Sequence, residues 1–231
     1  MALVIGVDES GTGAWAGPFH VCGVLVDDST FGTLVPGLND SKQLSDKKRR
    51  SLVPLIAQHA LGVFPFVGSV ELIKKFGQRE VWRMGIRHVV VACRTRVHDL
   101  RSAAHHRHDG TADSYPPSFA LPVIIDGPED EQVKLTANGE QGIYKANVRW
   151  EPKADGKYPV VMAASIVAKT LRNDAMIALH ERHPDYDWFH NAGYGTPRHQ
   201  AGIAEHGLTE HHRPIKGIEN LVRGVPCGAL R

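Results

Sequence analysis

Leu3-Val4-Ile5-Gly6-Val7-Asp8-Glu9-Ser10-Gly11-Thr12-Gly13 opens the chain with an apolar run that ends in two adjacent acids and a glycine-rich segment. The run predicts a buried strand, and side chains on a strand alternate between its faces, so Asp8 and Glu9 can serve one site only near the strand's end. Gly11 and Gly13 permit the turn that breaks the alternation, and they let a ligand approach backbone N–H groups that can point at an anion. On its own the stretch also fits an ordinary solvated turn. The remainder of the chain has to decide between the two.

Outward from this strand, Phe19 to Val26 forms a second strand candidate, and the short Ala16-Gly17-Pro18 connection suits an antiparallel neighbour. Ser45 followed by Asp46 marks a helix start, with Leu52, Leu55, Ile56 and His59 at helical spacing and Pro54 expected to kink or shorten the helix. Residues 63–67 read as a strand that Pro65 confines to an edge or an irregular start. Val81, Met84, His88, Val91 and Thr95 keep a period near 3.6 and predict a long helix. Residues 102–118 are polar, small and proline-bearing, which predicts a surface loop whose His105, His106 and His108 are solvated. A second apolar run, Leu121-Pro122-Val123-Ile124-Ile125, again ends in an acid and a glycine, Asp126-Gly127. Residues 128–150 read as a polar excursion or hairpin around Asn138-Gly139. Asp155 then precedes a helix of small residues opening at Met162 to Lys169, able to pack closely on a sheet. Strands and helices are interspersed, so the fold class is α/β.

With 231 residues, 42% hydrophobic and 23% charged, the chain has the composition of a globular domain. No apolar run is long enough to span a bilayer, and Met1 leads into the first strand without a signal-peptide pattern, so no membrane association and a cytoplasmic location are expected. Cys22, Cys93 and Cys227 are few and far apart, which predicts reduced thiols and argues against a disulfide framework or clustered zinc site. The formal net charge of +2 does not announce a nucleic-acid binder, so any phosphate-binding face must come from local clusters.

Six motifs in register carry a resemblance. Asp8-Glu9-Ser10-Gly11-Thr12-Gly13 with Ala16-Gly17-Pro18 resembles the opening motif of ribonuclease HII, the type 2 ribonuclease H family. Asp40-Ser41-Lys42, Ile125-Asp126-Gly127, and Lys153-Ala154-Asp155 spaced before Ala163-Ala164-Ser165-Ile166-Val167-Ala168-Lys169 resemble its next three elements. Gly193-Tyr194-Gly195-Thr196 with His199, and the tail from His206-Gly207 to His212-Arg213, complete the series.

The resemblance implies a ribonuclease H-like mixed central sheet flanked by helices. It implies a catalytic domain over residues 1–197 and a C-terminal helical extension over 198–231. Asp8, Glu9, Asp126 and Asp155 would be catalytic and would hold Mg2+ or Mn2+, since hard cations prefer oxygen ligands. Two ions about 4 Å apart would serve hydrolysis of the RNA strand of RNA/DNA hybrids and of ribonucleotides embedded in duplex DNA, giving 5′-phosphate and 3′-hydroxyl ends. Gly11, Thr12 and Gly13 would offer backbone groups to the 2′-hydroxyl, which separates RNA from DNA, and Tyr194 would stack at the junction. Lys42 would contact a phosphate with Ser41 in support, and Lys169 and Arg172 are further candidates for backbone contacts. A monomer acting on nucleic acid, with a place in DNA replication and repair, is implied.

Thr12 stands where that family usually has arginine, and the Gly-Thr-Gly form resembles the sister family ribonuclease HIII. The sister family carries an additional N-terminal substrate-binding domain, whereas here the acid-bearing strand begins at residue 3, and the tail favours ribonuclease HII. Two alternatives stay open at this point: another metal-dependent nuclease of the same fold, and a catalytically inactive hybrid-binding protein.

Overall fold

A computed structural model describes residues 1–107, 121–130, 133 and 147–223. In chain order the elements are β1 (Leu3–Ser10), β2 (Phe19–Asp27), α1 (Phe31–Leu34), α2 (Asp46–His59), β3 (Gly62–Gly68), α3 (Val70–Phe76), α4 (Gln78–Arg107), β4 (Val123–Asp126), β5 (Val148–Glu151), α5 (Pro159–Arg182), α6 (Trp188–Asn191) and α7 (Pro197–His206). They fall into two compact units. The first comprises Met1–Ser10, His20–Phe66 and Arg83–Thr170, and the second Gly11–Phe19, Val67–Trp82 and Leu171–Arg231. Among the described residues no helix is long and apolar enough to cross a membrane.

The strands form one sheet in the order β3-β2-β1-β4-β5, with β1 antiparallel to β2 and parallel to β4, and β4 parallel to β5. β1 sits at its centre, and Leu3 to Asp8 are all buried, as a strand covered on both faces requires. Two glycines show how closely the helices approach. Gly6 pairs with Val24, while Gly23 pairs with Val7, so the two glycines face opposite sides of the sheet. A Cβ on Gly6 would lie 2.6 Å from the Val160 carbonyl carbon of α5, and one on Gly23 would lie 2.8 Å from Val89 Cβ of α4. Helices therefore cover both faces, each seated where the sheet lacks a side chain.

The antiparallel β1–β2 pair, the edge position of β3 with Pro65, the Ser45 cap and the strand ending at Asp126 follow the sequence reading. Four details differ. α2 is not cut short at Pro54 but continues to His59, because the ring is on the exposed side and burial of Leu52 and Ile56 holds the helix. α4 is the expected long helix; of the residues that set its period Val81 is buried, while Met84, His88, Val91 and Thr95 line an open groove with Phe64, and Ile86, Val89, Val90, Cys93 and Val97 are the buried residues along the rest of the helix. The β-branched valines, unfavourable for the helix locally, are the residues that pack on the sheet. α4 also continues to Arg107, so residues 102–107 are helix rather than loop, no Gly or Pro intervening. Residues 148–150, read as the end of a polar excursion or hairpin, form β5 together with Glu151, and its four residues gain ladder partners from β4. His108, Asn138-Gly139 and Cys227 lie outside the described residues, as do the side chains of His105 and His106. Cys22 and Cys93 are free, buried thiols.

Candidate active site

In the first unit, strand register assembles the acids. Gly6 pairs with Ile124, so two residues further along the parallel strands Asp8 and Asp126 share one face at neighbouring positions. Asp155 arrives from a 3-10 turn over Ala154–Gly156, entered through Lys153 in the left-handed conformation at φ 62°. The Ala154 N–H donates to Asp126 Oδ1 at 2.7 Å, tying that turn to the end of β4. One carboxylate oxygen each from Asp8, Asp126 and Asp155 lies within 4.8 Å of the others. Glu9 does not join them. β1 keeps regular pairing through Ser10, so alternation sets Glu9 apart from Asp8, and the turn follows at Gly11 to Gly13, where the sequence reading put it.

Charge accumulates here faster than it is neutralised. Burial pushes the Asp8 carboxyl well above the usual range, with the Glu9 and Asp126 charges acting in the same direction. The Asp126 carboxyl is raised by burial and then by Asp155. Lys42 Nζ donates to Asp155 Oδ2 at 3.0 Å. Burial opposes the Lys42 charge, but Asp155, Asp40 and Asp8 outweigh it and hold the ammonium above its ordinary value. The loop carrying Lys42 is fastened from beneath: the Ser165 hydroxyl of α5 and the Ser41 hydroxyl are hydrogen-bonded at 2.8 Å, and the Ser41 carbonyl accepts from Arg49 at 3.0 Å and Lys169 at 3.4 Å. Ser165 also hydrogen-bonds Asp8, making α5 a common support for an acid and for the lysine loop.

In the second unit, Gly11-Thr12-Gly13 is held by its own surroundings. Gly11 has φ +94°, and a Cβ there would fall 1.7 Å from Arg172 Nε, so both backbone and space require glycine. Arg213 donates from Nη1 to the Thr12 carbonyl at 3.0 Å and from Nε to the Gly17 carbonyl at 2.9 Å. Trp15 and Ala16 N–H groups donate to the Gly193 carbonyl at 2.8 and 3.1 Å, linking the glycine segment to the turn that carries Tyr194. Tyr194 is 44% exposed, with the Arg172 guanidinium 5.3 Å from its ring centre. Arg172 is buried and donates to the Ala192 carbonyl, so it braces this turn from inside.

A buried histidine pair fixes the Tyr194 turn further. Trp188 Nε1 can only donate, and it does so to His199 Nε2 at 3.0 Å, leaving the His199 proton on Nδ1 for the Tyr194 carbonyl at 2.9 Å. His212 Nδ1 accepts from the Thr209 N–H at 2.9 Å, so its proton is on Nε2, 3.1 Å from His199 Nε2. Each ring nitrogen has a role compatible with neutral imidazoles alone. Burial accordingly lowers the His199 pKa, and burial with the neighbouring His199 lowers that of His212 to about 3.

Of the ten residues singled out from sequence, the structure brings Asp8, Asp126, Asp155, Lys42 and Ser41 together in the first unit, and Gly11, Thr12, Gly13 and Tyr194 in the second. Glu9 stands beside Asp8 outside the converging three. Sequence reasoning passed over the positioning roles of Ser165, His199, His212 and Arg213. All four lie inside the quoted motifs, which was the available signal, but a motif does not say which backbone group a side chain will hold.

The sequence matches the Ribonuclease HII family over residues 5–223. It is 34% identical to ribonuclease HII of Hyphomonas neptunium over 97% of this chain and 98% of that protein. The fold is similar to ribonuclease H2 of Pyrococcus horikoshii, at TM-score 0.71 and 21% identity, covering 96% of this chain and all of that one. Bst ribonuclease HIII in complex with Mn2+ is similar at TM-score 0.64 and 20% identity, covering 96% of this chain and 69% of that one. The sheet order and flanking helices are thus those of the ribonuclease H2 and H3 folds, and the chain belongs to the ribonuclease HII family, nucleases that hydrolyse RNA in RNA/DNA hybrids.

Proposed function

We propose that this chain hydrolyses, as a monomer, the RNA strand of RNA/DNA hybrids and ribonucleotides embedded in duplex DNA, leaving 5′-phosphate and 3′-hydroxyl ends. The observation that carries the reading is the convergence of Asp8, Asp126 and Asp155 within 4.8 Å, with Asp8 and Asp155 almost wholly buried. Buried carboxylates so close are mutually unfavourable until a cation joins them, and an all-oxygen donor set fits a hard divalent ion, Mg2+ or Mn2+. Two such ions, held by Asp8, Glu9, Asp126 and Asp155, would supply an activated water and stabilise the leaving oxygen.

The protein's own groups do the remainder. Lys42, whose side chain is 71% exposed, exchanges its bond with Asp155 for a substrate phosphate, on a loop that Ser41 and Ser165 keep in place. Gly11, Thr12 and Gly13 present backbone to the 2′-hydroxyl, and the Arg213 clamp on Thr12 sets the direction in which that segment faces. Tyr194, exposed yet braced by Arg172 and His199, stacks on the nucleotide at the junction. Removal of RNA from DNA places the activity in DNA replication and repair.

The test compares duplexes carrying a run of ribonucleotides, one ribonucleotide or none, with Mg2+ and with Mn2+. Cutting of the first two and not the third, with 3′-hydroxyl ends on the products, is expected. Comparable cutting of all-DNA duplex would establish a general nuclease instead, and binding of hybrid without cutting would establish an inactive binder.

A further inference from the structure

We propose that His183, Glu210 and His211 form a second metal site, of a different chemical class from the carboxylate cluster, suited to Zn2+. The three residues lie within the second unit, and one ligand atom from each falls within 4.8 Å of the others. His211 Nε2 is 3.4 Å from Glu210 Oε1, close to the edge of about 3.3 Å that a tetrahedron with metal bonds of about 2.0–2.1 Å would have. Two imidazoles and one carboxylate make a borderline donor set that favours zinc over Mg2+ or Ca2+ and leaves a coordination position open.

The backbone is already arranged for it. His183 directly follows α5, and its N–H closes the helix by donating to the Leu179 and His180 carbonyls. The turn bearing the other two ligands is held at both ends: the His211 N–H donates to Thr209 Oγ1 at 3.2 Å, the His211 carbonyl accepts from the Gly17 N–H at 2.9 Å, and Lys74 Nζ donates to the Glu210 carbonyl at 2.7 Å. The His183 and His211 rings meet edge to face at 5.1 Å, and Trp188 lies against both, at 5.7 and 6.3 Å, giving the ligands an apolar wall. His211 Nε2 is shielded from solvent and has no well-aligned hydrogen bond, the kind of buried polar atom that calls for a bound ion. Arg182, Glu71 and Lys74 are the other charged groups near the cluster, and Glu210 supplies the anionic ligand.

A metal here would clip the end of α5 to the turn that leads into His212 and Arg213, and through Arg213 it would stiffen the Gly11-Thr12-Gly13 segment. The site owes nothing to the substrate reading above, so its test needs no nuclease assay. Zn2+ is titrated by microcalorimetry into the full chain carrying Asp8→Asn with Mg2+ in excess, which keeps the carboxylate cluster out of the measurement. One Zn2+ per chain is expected, with affinity weakened at least about tenfold by His183→Ala, by His211→Ala and by Glu210→Gln. Glu210→Gln alters an exposed side chain, so its metal-free melting temperature should match the parent and show that the lost affinity is not lost folding. Co2+ in place of Zn2+ should give visible ligand-field bands in the parent that vanish in the same variants. A chain lacking His105, His106 and His108 should bind as the parent does. No Zn2+ uptake, unchanged affinity in the three variants, or loss of binding with the 105–108 histidines would each overturn the proposal.

Discussion

The carboxylate cluster of the first unit and the histidine pair of the second both bury titratable groups, and they resolve the problem in opposite ways. His199 and His212 are neutral, and each ring nitrogen is committed to Trp188, Tyr194, Thr209 or the other histidine. Asp8 and Asp126 instead have their carboxyl pKa values raised by burial and by neighbouring acids, with Lys42 as the cation bonded to the cluster. Charge settled within the protein marks scaffold, whereas charge left unsettled marks the place where something from outside must bind. Both regions consist of the same kinds of group, so composition alone does not distinguish them.

The most forceful way to break this contrast is to remove charge from the first region. Asp8→Asn or Asp126→Asn should reduce hybrid cleavage by about 10³-fold or more, measured under single-turnover conditions with Mg2+. The same Asp8→Asn chain should melt at least about 2 °C higher than the parent when metal-free at pH 7, because a buried carboxylate repelled by its neighbours is gone. Retained cleavage, or a lower melting point, would remove Asp8 from the metal centre.

pH should bend the two regions in opposite senses. A histidine whose folded pKa is depressed takes up protons more readily in the unfolded chain, so its contribution is intact above the unfolded value of about 6.5 and is lost as pH falls from there towards the His212 value of about 3. The slope approaches about 1.4 kcal/mol per pH unit for His212, and His199 acts in the same direction. Asp8 and Asp126 have raised folded pKa values, so in metal-free protein their cost grows as pH rises above the unfolded carboxyl value of about 4. Hydrogen exchange resolved by segment should show 186–213 losing protection on acidification, and the β1 and β4 ends losing it on the alkaline side only when metal is withheld.

Arg213→Ala should cost about 2 kcal/mol or more in stability, since the Thr12 and Gly17 carbonyls lose their partner. It should also lower cleavage at a single ribonucleotide more than cleavage of a long hybrid. Tyr194→Ala should leave the melting temperature nearly unchanged, its ring being 44% exposed, yet reduce cleavage about tenfold through lost stacking. The smallest effect is expected from Thr12→Arg, a shift of about two- to fivefold in the ratio of single-ribonucleotide to hybrid cleavage, corresponding to one exposed charged contact of about 0.5–1 kcal/mol. An unchanged ratio would show that residue 12 does not set specificity.

Acids at the ends of two apolar runs were legible because a buried strand and its polar terminus are both local patterns. Convergence of Asp8 with Asp126 then follows from parallel register, and Asp155 could be placed only by family resemblance, because its turn has no periodicity. The length of α4 was legible from its period, but which face is buried was not, because the helix carries two apolar stripes and packing against Gly23 selects the one with Val89 and Cys93. Glu9 was grouped with Asp8 through the family motif, whereas the regular pairing of Glu9 with Val21 sets it beside, rather than among, the three converging aspartates. Arg213 holds a carbonyl 201 residues away, a relationship no window along the chain contains.

The Lys42–Asp155 bond means that the carboxylate cluster carries its own competitor for a cation. A metal ion bound there as proposed would not simply fill a place but would displace an ammonium group from a 3.0 Å contact. Because most of the Lys42 side chain faces solvent, dissolved salt screens that internal pair as well as the incoming ion. Metal loading in this protein should therefore be less weakened by ionic strength than it would be at three aspartates with no lysine beside them.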